Sequence, residues 1–260
     1  MADILEALTT ALATGRVEVV DLTQTLREDS PVIVLPPEFG GSAPVRIERI
    51  SRYDANGPGW YWNNLSFGEH TGTHFDAPIH WHTGRDLPLN SVDRLPPQDM
   101  IAPACVIDCS APSAENPDFL LTRAGIEAWE SEHGTIPARS WVLMRTDWSK
   151  RQGADYANLG DDGAHTPGPD AEAIRWLVEQ RDILGFGTET IGTDAGQGGH
   201  FEPPHPAHHY LHGAGRYGLQ CLAALDRLPP RGAVILAAPL KVHDGSGSPL
   251  RVLALVTKEE

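Results

Sequence analysis

Residues 169–192 read PDAEAIRWLVEQRDILGFGTETIG, and their hydrophobic period changes halfway along. The first half, 169–181, has the amphipathic spacing of a helix opened by Gly168 and Pro169, a residue suited to a first helical turn. The second half, 182–192, is a short apolar run broken by glycines, the pattern of a buried strand. A helix followed at once by a strand is the building unit of an α/β fold.

Working outward, the same alternation recurs. Residues 104–109 (ACVIDC) and 140–148 (SWVLMRTDW) read as buried strands, with an amphipathic helix at 122–134 between them. Downstream, RYGLQCLAALDRL at 216–228 reads as a last helix, stopped by Pro229 and Pro230 and followed by strands at 232–240 and 251–256. Upstream, a helix is expected from Ala2 to Ala13 and a strand over 17–26, while prolines and glycines make 31–44 a loop or edge. WYWNNLSFGEH, 60–70, has the alternation and aromatic content of a strand. No repeat or linker divides residues 1–260, so one α/β domain is expected.

With 20 Lys plus Arg against 35 Asp plus Glu, the chain carries a formal charge of −15. Such a surface repels phosphate backbones and anionic membranes, so neither nucleic acid nor membrane is an expected partner. Three cysteines without a CxxC spacing fit reduced thiols of a cytoplasmic protein, and the acid-bearing N-terminus lacks the look of a secretion signal.

The histidines point to chemistry. Of 12, four lie in HTGTHFDAPIHWH (70–82) and five lie between 200 and 212, so two separated clusters are expected to share one site. In an extended segment His74 and Asp76 leave the same face, and His70 joins them if Gly72 lets the chain turn. Two imidazoles and a carboxylate suit Zn²⁺, Mn²⁺ or Fe²⁺ with positions left open for water and substrate. His80 is then the free imidazole available as general base and acid. Trp60, Trp62 and Trp81 flank the segment, and Trp81 and Trp62 are candidate stacking partners for a planar substrate. GQGGHFEPPHPAHHYL, 196–211, reads as irregular structure forming a lid or a subunit contact, with Asp194 fixing it through local hydrogen bonds.

His70, Gly72, Thr73, His74, Asp76, Pro78 and His80 form the pattern H-x-G-T-H-x-D-x-P-x-H, which resembles the signature of the cyclase family that includes kynurenine formamidases and isatin hydrolases. The resemblance extends through residues 21–26, 191–196 and 238–255. It implies a mixed β-sheet, barrel-like core with flanking helices of the swivelling β/β/α type, and a homodimer or higher oligomer. It also implies His70, His74 and Asp76 as metal ligands and His80 as the acid/base. Kynurenine formamidases of the family hold a second metal with a later histidine and a glutamate; His208 matches the histidine, but the position twelve residues on is Gln220. A neutral amide is a poor ligand for a hard divalent ion. One metal, Mn²⁺ before Zn²⁺, and the isatin hydrolase branch are therefore expected, with His208 and Gln220 as second-site or substrate contacts. The expected reaction is hydrolysis of the C–N bond of a small cyclic or aromatic amide. The rivals are kynurenine formamidase activity, a cyclase or dehydratase acting on an aromatic or polyketide-type intermediate, and a binding protein without chemistry.

Overall fold

The computed structural model describes residues 3–33, 41–81 and 87–258. Much of the expected 31–44 loop, and His82, lie outside them.

In chain order the strands that matter here are β1 (Val17–Asp21), β2 (Arg46–Asp54), β3 (Gly57–Ser66), β4 (His74–Asp76), β5 (Ile101–Asp108), β6 (Trp141–Arg145), β7 (Gly185–Thr188), β8 (Tyr217–Gln220), β9 (Ala233–Leu236), β10 (Gly247–Pro249) and β11 (Leu253–Thr257). The helices are α1 (Ile4–Ala13), α2 (Arg123–His133), α3 (Ala171–Arg181) and α4 (Pro206–Gly213). Nine of these strands make one sheet in the order β1-β11-β9-β5-β6-β7-β8-β4-β10. β5 through β8 run parallel and the outer strands join antiparallel. β2 and β3 pair only with each other, as an exposed hairpin.

Alternation along the central strands builds a core on each face. Ala104, Val106, Trp141 and Leu143 point to one side with Val20, Phe75, Leu219 and Ile235. Their neighbours Cys105, Ile107, Val142 and Met144 point to the other, where Ile126 of α2 and Ile174 and Leu177 of α3 cover them. Strands buried on both faces read as continuous apolar runs, which is why ACVIDC and SWVLMR are legible as strands. Gly185 is required where it stands, because a Cβ there would meet the Trp141 ring at 2.3 Å.

The sheet curls into an open half-barrel. Just past β1, Leu22 donates its N–H to Val252 and accepts one from Ala223, and Thr23 bridges Leu222. The first edge of the sheet thereby meets the end of β8, six places away, and draws the β4 corner and both histidine clusters into one region.

Three expectations are corrected. Residues 216–228 are not a helix: Tyr217–Gln220 form β8, inserted between β7 and β4, and only Leu225–Arg227 make a 3-10 turn. Short buried apolar runs carry no period that separates helix from strand, and here sheet pairing decides. Residues 196–211 are not wholly irregular either, because α4 begins at Pro206. Proline suits that first helical position. The side-chain acceptor for the new helix comes from outside the segment: Asp194 accepts the N–H groups of Ala207 (2.6 Å) and His208 (3.3 Å). Nor does 60–70 form one strand, since β3 ends at Ser66.

Candidate active site

Asp76 is the centre of the site. It ends β4, is fully buried, and faces Gly218 of β8, where a Cβ would stand 2.7 Å from its Oδ2. Gly72, at φ +61°, supplies the turn that returns His70 to His74 and Asp76. His70 Nδ1 is 2.8 Å and His74 Nε2 3.4 Å from Asp76 Oδ1. Burial alone would raise the Asp76 carboxyl, but the imidazoles beside it, His74 first and then His70 and His80, hold it well below its ordinary range.

Two pairs among these residues, His70 with Asp76 and His74 with Asp76, have separations that suit a shared divalent ion. Two ligand atoms about 2.1 Å from one ion and about 90–110° apart stand roughly 3.0–3.4 Å from each other, close to the two separations above. His74 Nδ1 lies 2.8 Å from the Gly72 carbonyl, so that nitrogen donates and Nε2 is left as the lone-pair face. That Nε2 is buried and has no hydrogen-bond partner, a costly state that a metal ion relieves.

His80, in the 3-10 turn Pro78–His80, stacks on His70 with ring centroids 3.8 Å apart. Burial, opposed by Asp76 and reinforced by the charges of His70, His208 and His212, drives its pKa down to about 3. It is therefore neutral at physiological pH, the form that accepts a proton.

The second histidine cluster arrives on α4. His208 and His212 are one turn apart and share a face. His80 lies 5.6 Å from His208 and 6.0 Å from His212, ring centre to ring centre. His208 Nδ1 sits 2.5 Å from Asp194 Oδ2. Burial would lower the His208 pKa, yet the hydrogen bond and charge of Asp194, with Asp76, raise it. His212, fully buried, donates Nδ1–H to the Arg216 carbonyl at 3.1 Å. Its Nε2 has no hydrogen-bond partner. Donor atoms of Asp76, His208 and His212 lie within 4.8 Å of one another, as do those of His70, Asp76 and His80.

Gln220 is on β8 rather than on a helix. Its Oε1 accepts the Gly192 N–H at 2.7 Å, so its Nε2 faces Asp76 and donates to Oδ2 at 2.5 Å. Trp81 packs beside His205 and His208, with centroids 5.3 and 4.9 Å away. Trp62 is about half exposed on the hairpin, outside the nine-stranded sheet. Sequence reasoning places His70, His74, Asp76, His80, His208, Gln220 and Trp81 in one region, and the structure does bring them together. His212 escapes that reasoning. Its four-residue spacing from His208 is the available signal, hidden by reading 196–211 as loop.

The chain is similar to known hydrolases. The family model described as "Putative cyclase" matches residues 20–195. The isatin hydrolase of Roseibium aggregatum is 52% identical over 257 residues, covering 98% of this chain and 97% of the relative. The structure of isatin hydrolase A from Labrenzia aggregata bound to benzyl benzoate superposes with a TM-score of 0.97 at 63% identity, covering 98% of this chain and 100% of that one. An isatin hydrolase bound to the product analogue thioisatinate superposes at 0.96 and 51% identity, with 98% of each chain covered. Fold, site and relatives define a metal-dependent hydrolase of a non-peptide C–N amide bond. The chain belongs to the cyclase family.

Proposed function

We propose that the chain opens the lactam ring of isatin or a closely related cyclic aromatic amide, using one divalent ion, Mn²⁺ in preference to Zn²⁺, held by His70, His74 and Asp76. The carrying observation is Gln220. Its amide donates to Asp76 Oδ2, the oxygen a second ion would need, where the formamidase pattern has a glutamate ligand. That supports a mononuclear site and sets the kynurenine formamidase reading behind the isatin one.

When bound, the ion supplies Lewis acidity toward the amide carbonyl and the charge building on its oxygen. Neutral His80 accepts a proton from the attacking water and delivers it to the ring nitrogen as the C–N bond breaks, leaving an aromatic amine and a carboxylic acid that releases its own proton to solvent. Asp194 fixes the orientation of His208, which with Trp81 forms the wall opposite the ligands and contacts the planar substrate.

We take residues 1–260 as one functional unit, consistent with the pairing of β1 and β11 near the two ends. We also read the protein as a homodimer or higher oligomer. An isolated hairpin is marginal in water, and Trp60, Tyr61, Trp62 and Leu65 of β3 are all at least half exposed. Light scattering checks this, and a monomeric mass refutes it. Cys105, Cys109 and Cys221 are buried free thiols, in keeping with a cytoplasmic location that cell fractionation can test. Among the described residues, no helix is long and apolar enough to cross a membrane.

The test is isatin ring opening, followed by absorbance, on protein stripped by chelator and reloaded separately with Mn²⁺ or Zn²⁺. Opening restored by metal, faster with Mn²⁺, is expected. Folded protein inactive with both ions would overturn the isatin reading and favour cyclase or dehydratase chemistry.

A further inference from the structure

We propose that Glu69 and Ser246 are positioning residues for the metal centre: together they fix which nitrogen of His70 faces the ion, and choose Nδ1. This rests on the reading of His70 as a ligand. His70 Nε2 stands 2.9 Å from Ser246 Oγ, and that hydroxyl stands 2.6 Å from Glu69 Oε2. A hydroxyl has one proton, and a carboxylate only accepts. The Ser246 proton therefore goes to Glu69, and Ser246 Oγ is left to accept from His70 Nε2–H. Neutral His70 then carries no proton on Nδ1, whose lone pair points at Asp76 Oδ1 only 2.8 Å away. Two lone pairs at that distance repel unless a cation lies between them, so the relay leaves a gap suited to a metal ion.

The surrounding backbone is shaped for this relay. Ser246 N–H also donates to Glu69 Oε2, at 3.2 Å. At Gly247 a Cβ would come within 2.6 Å of His70 Cε1 and 2.3 Å of the Phe75 carbonyl, so only glycine lets the imidazole settle against β10. Glu69 and Ser246 are 177 residues apart in sequence. The neighbouring ligand is set the other way, since the Gly72 carbonyl takes the Nδ1 proton of His74 and leaves Nε2. One ligand thus faces the ion through Nδ1 and the other through Nε2, each choice enforced by a partner on its far nitrogen.

The experiment measures Mn²⁺ affinity of the chelator-stripped full chain by the electron paramagnetic resonance signal of free Mn²⁺, for wild type, Ser246→Ala, Glu69→Ala, His70→Ala and Ser248→Ala. Ser246→Ala is expected to raise Kd 10–100-fold, and Glu69→Ala about tenfold, because the freed hydroxyl then donates to His70 Nε2 and favours the wrong tautomer. The side chain of Ser248, two residues on, bonds to Leu240 and Pro249 instead, and Ser248→Ala is expected to leave Kd within twofold. In the wild-type protein loaded with diamagnetic Zn²⁺ and ¹⁵N-labelled at histidine, His70 should appear ligated through Nδ1 and protonated at Nε2. Ser246→Ala and Glu69→Ala both binding within twofold of wild type, or ligation of His70 through Nε2, would overturn the relay. His70→Ala binding like wild type would instead overturn the ligand assignment. Should Ser246→Ala fail to fold, Glu69→Ala and the nitrogen assignment decide.

Discussion

The two histidine segments reach the same site by different routes. In 70–80 the course of the backbone is local: Gly72 makes the turn, the two-residue strand period aligns His74 with Asp76, and His80 follows in a 3-10 turn. In 205–212 the decisive partner is remote, because Asp194 both accepts from the start of α4 and holds His208. On the proposed reading the first segment carries the chemistry and the second forms a wall whose position is imposed from elsewhere. Breaking each should therefore fail differently.

In the first segment the largest effect is expected from His80→Ala. It should lower kcat by about 10²–10⁴-fold, the range of a lost general base, while metal content and melting temperature stay near wild type. Elemental analysis beside steady-state rates checks this, and a variant that loses its ion along with its turnover would show that His80 is a ligand rather than the proton carrier.

In the second segment the counterpart is Asp194→Ala. This leaves two N–H groups at the start of α4 without their acceptor and strands buried His208 without its carboxylate. Removing one member of a buried pair costs on the order of 3–5 kcal/mol, so the urea midpoint should fall well before kcat at saturating substrate does. The reverse pattern, with stability intact and kcat collapsed, would make Asp194 part of the chemistry and erase the contrast between the segments.

How far each segment can be read from sequence follows the same division. Period-two alternation in 70–76 and the double-sided apolar runs at 104–109 and 140–145 are local signals, and the strands and the pairing of His74 with Asp76 on one face follow from them. Residues 216–220 defeat local reading because Tyr217, Gly218, Leu219 and Gln220 are all buried, so no polar face marks a strand. Their pairing with β7 and β4 is a property of the assembled sheet, and with it goes the bond from Gln220 to Asp76. His212 is lost for a related reason: without α4 its relation to His208 has no geometry. Glu69 and Ser246 become partners only when β10 is laid beside β4.

The smallest effect belongs to His212 and separates the segments by pH. Burial first, and the His208 charge second, push its pKa down to about 4, whereas an imidazole in an unfolded chain stays near 6.5. Between those values the unfolded chain holds a proton that the fold does not, so stability rises with pH across the window and is fully present above 6.5. Lowering the pH of chelator-treated protein from 7.5 to 5 should cost about 2 kcal/mol through this group alone. His80, lowered in the same direction, adds to the slope. His212→Phe keeps a buried ring of similar size with no proton to bind, so its urea midpoint should vary less between these two pH values than that of wild type. Equal slopes in both proteins would mean that α4 lets His212 reach water before the rest of the fold opens, and that the wall is looser than its burial implies.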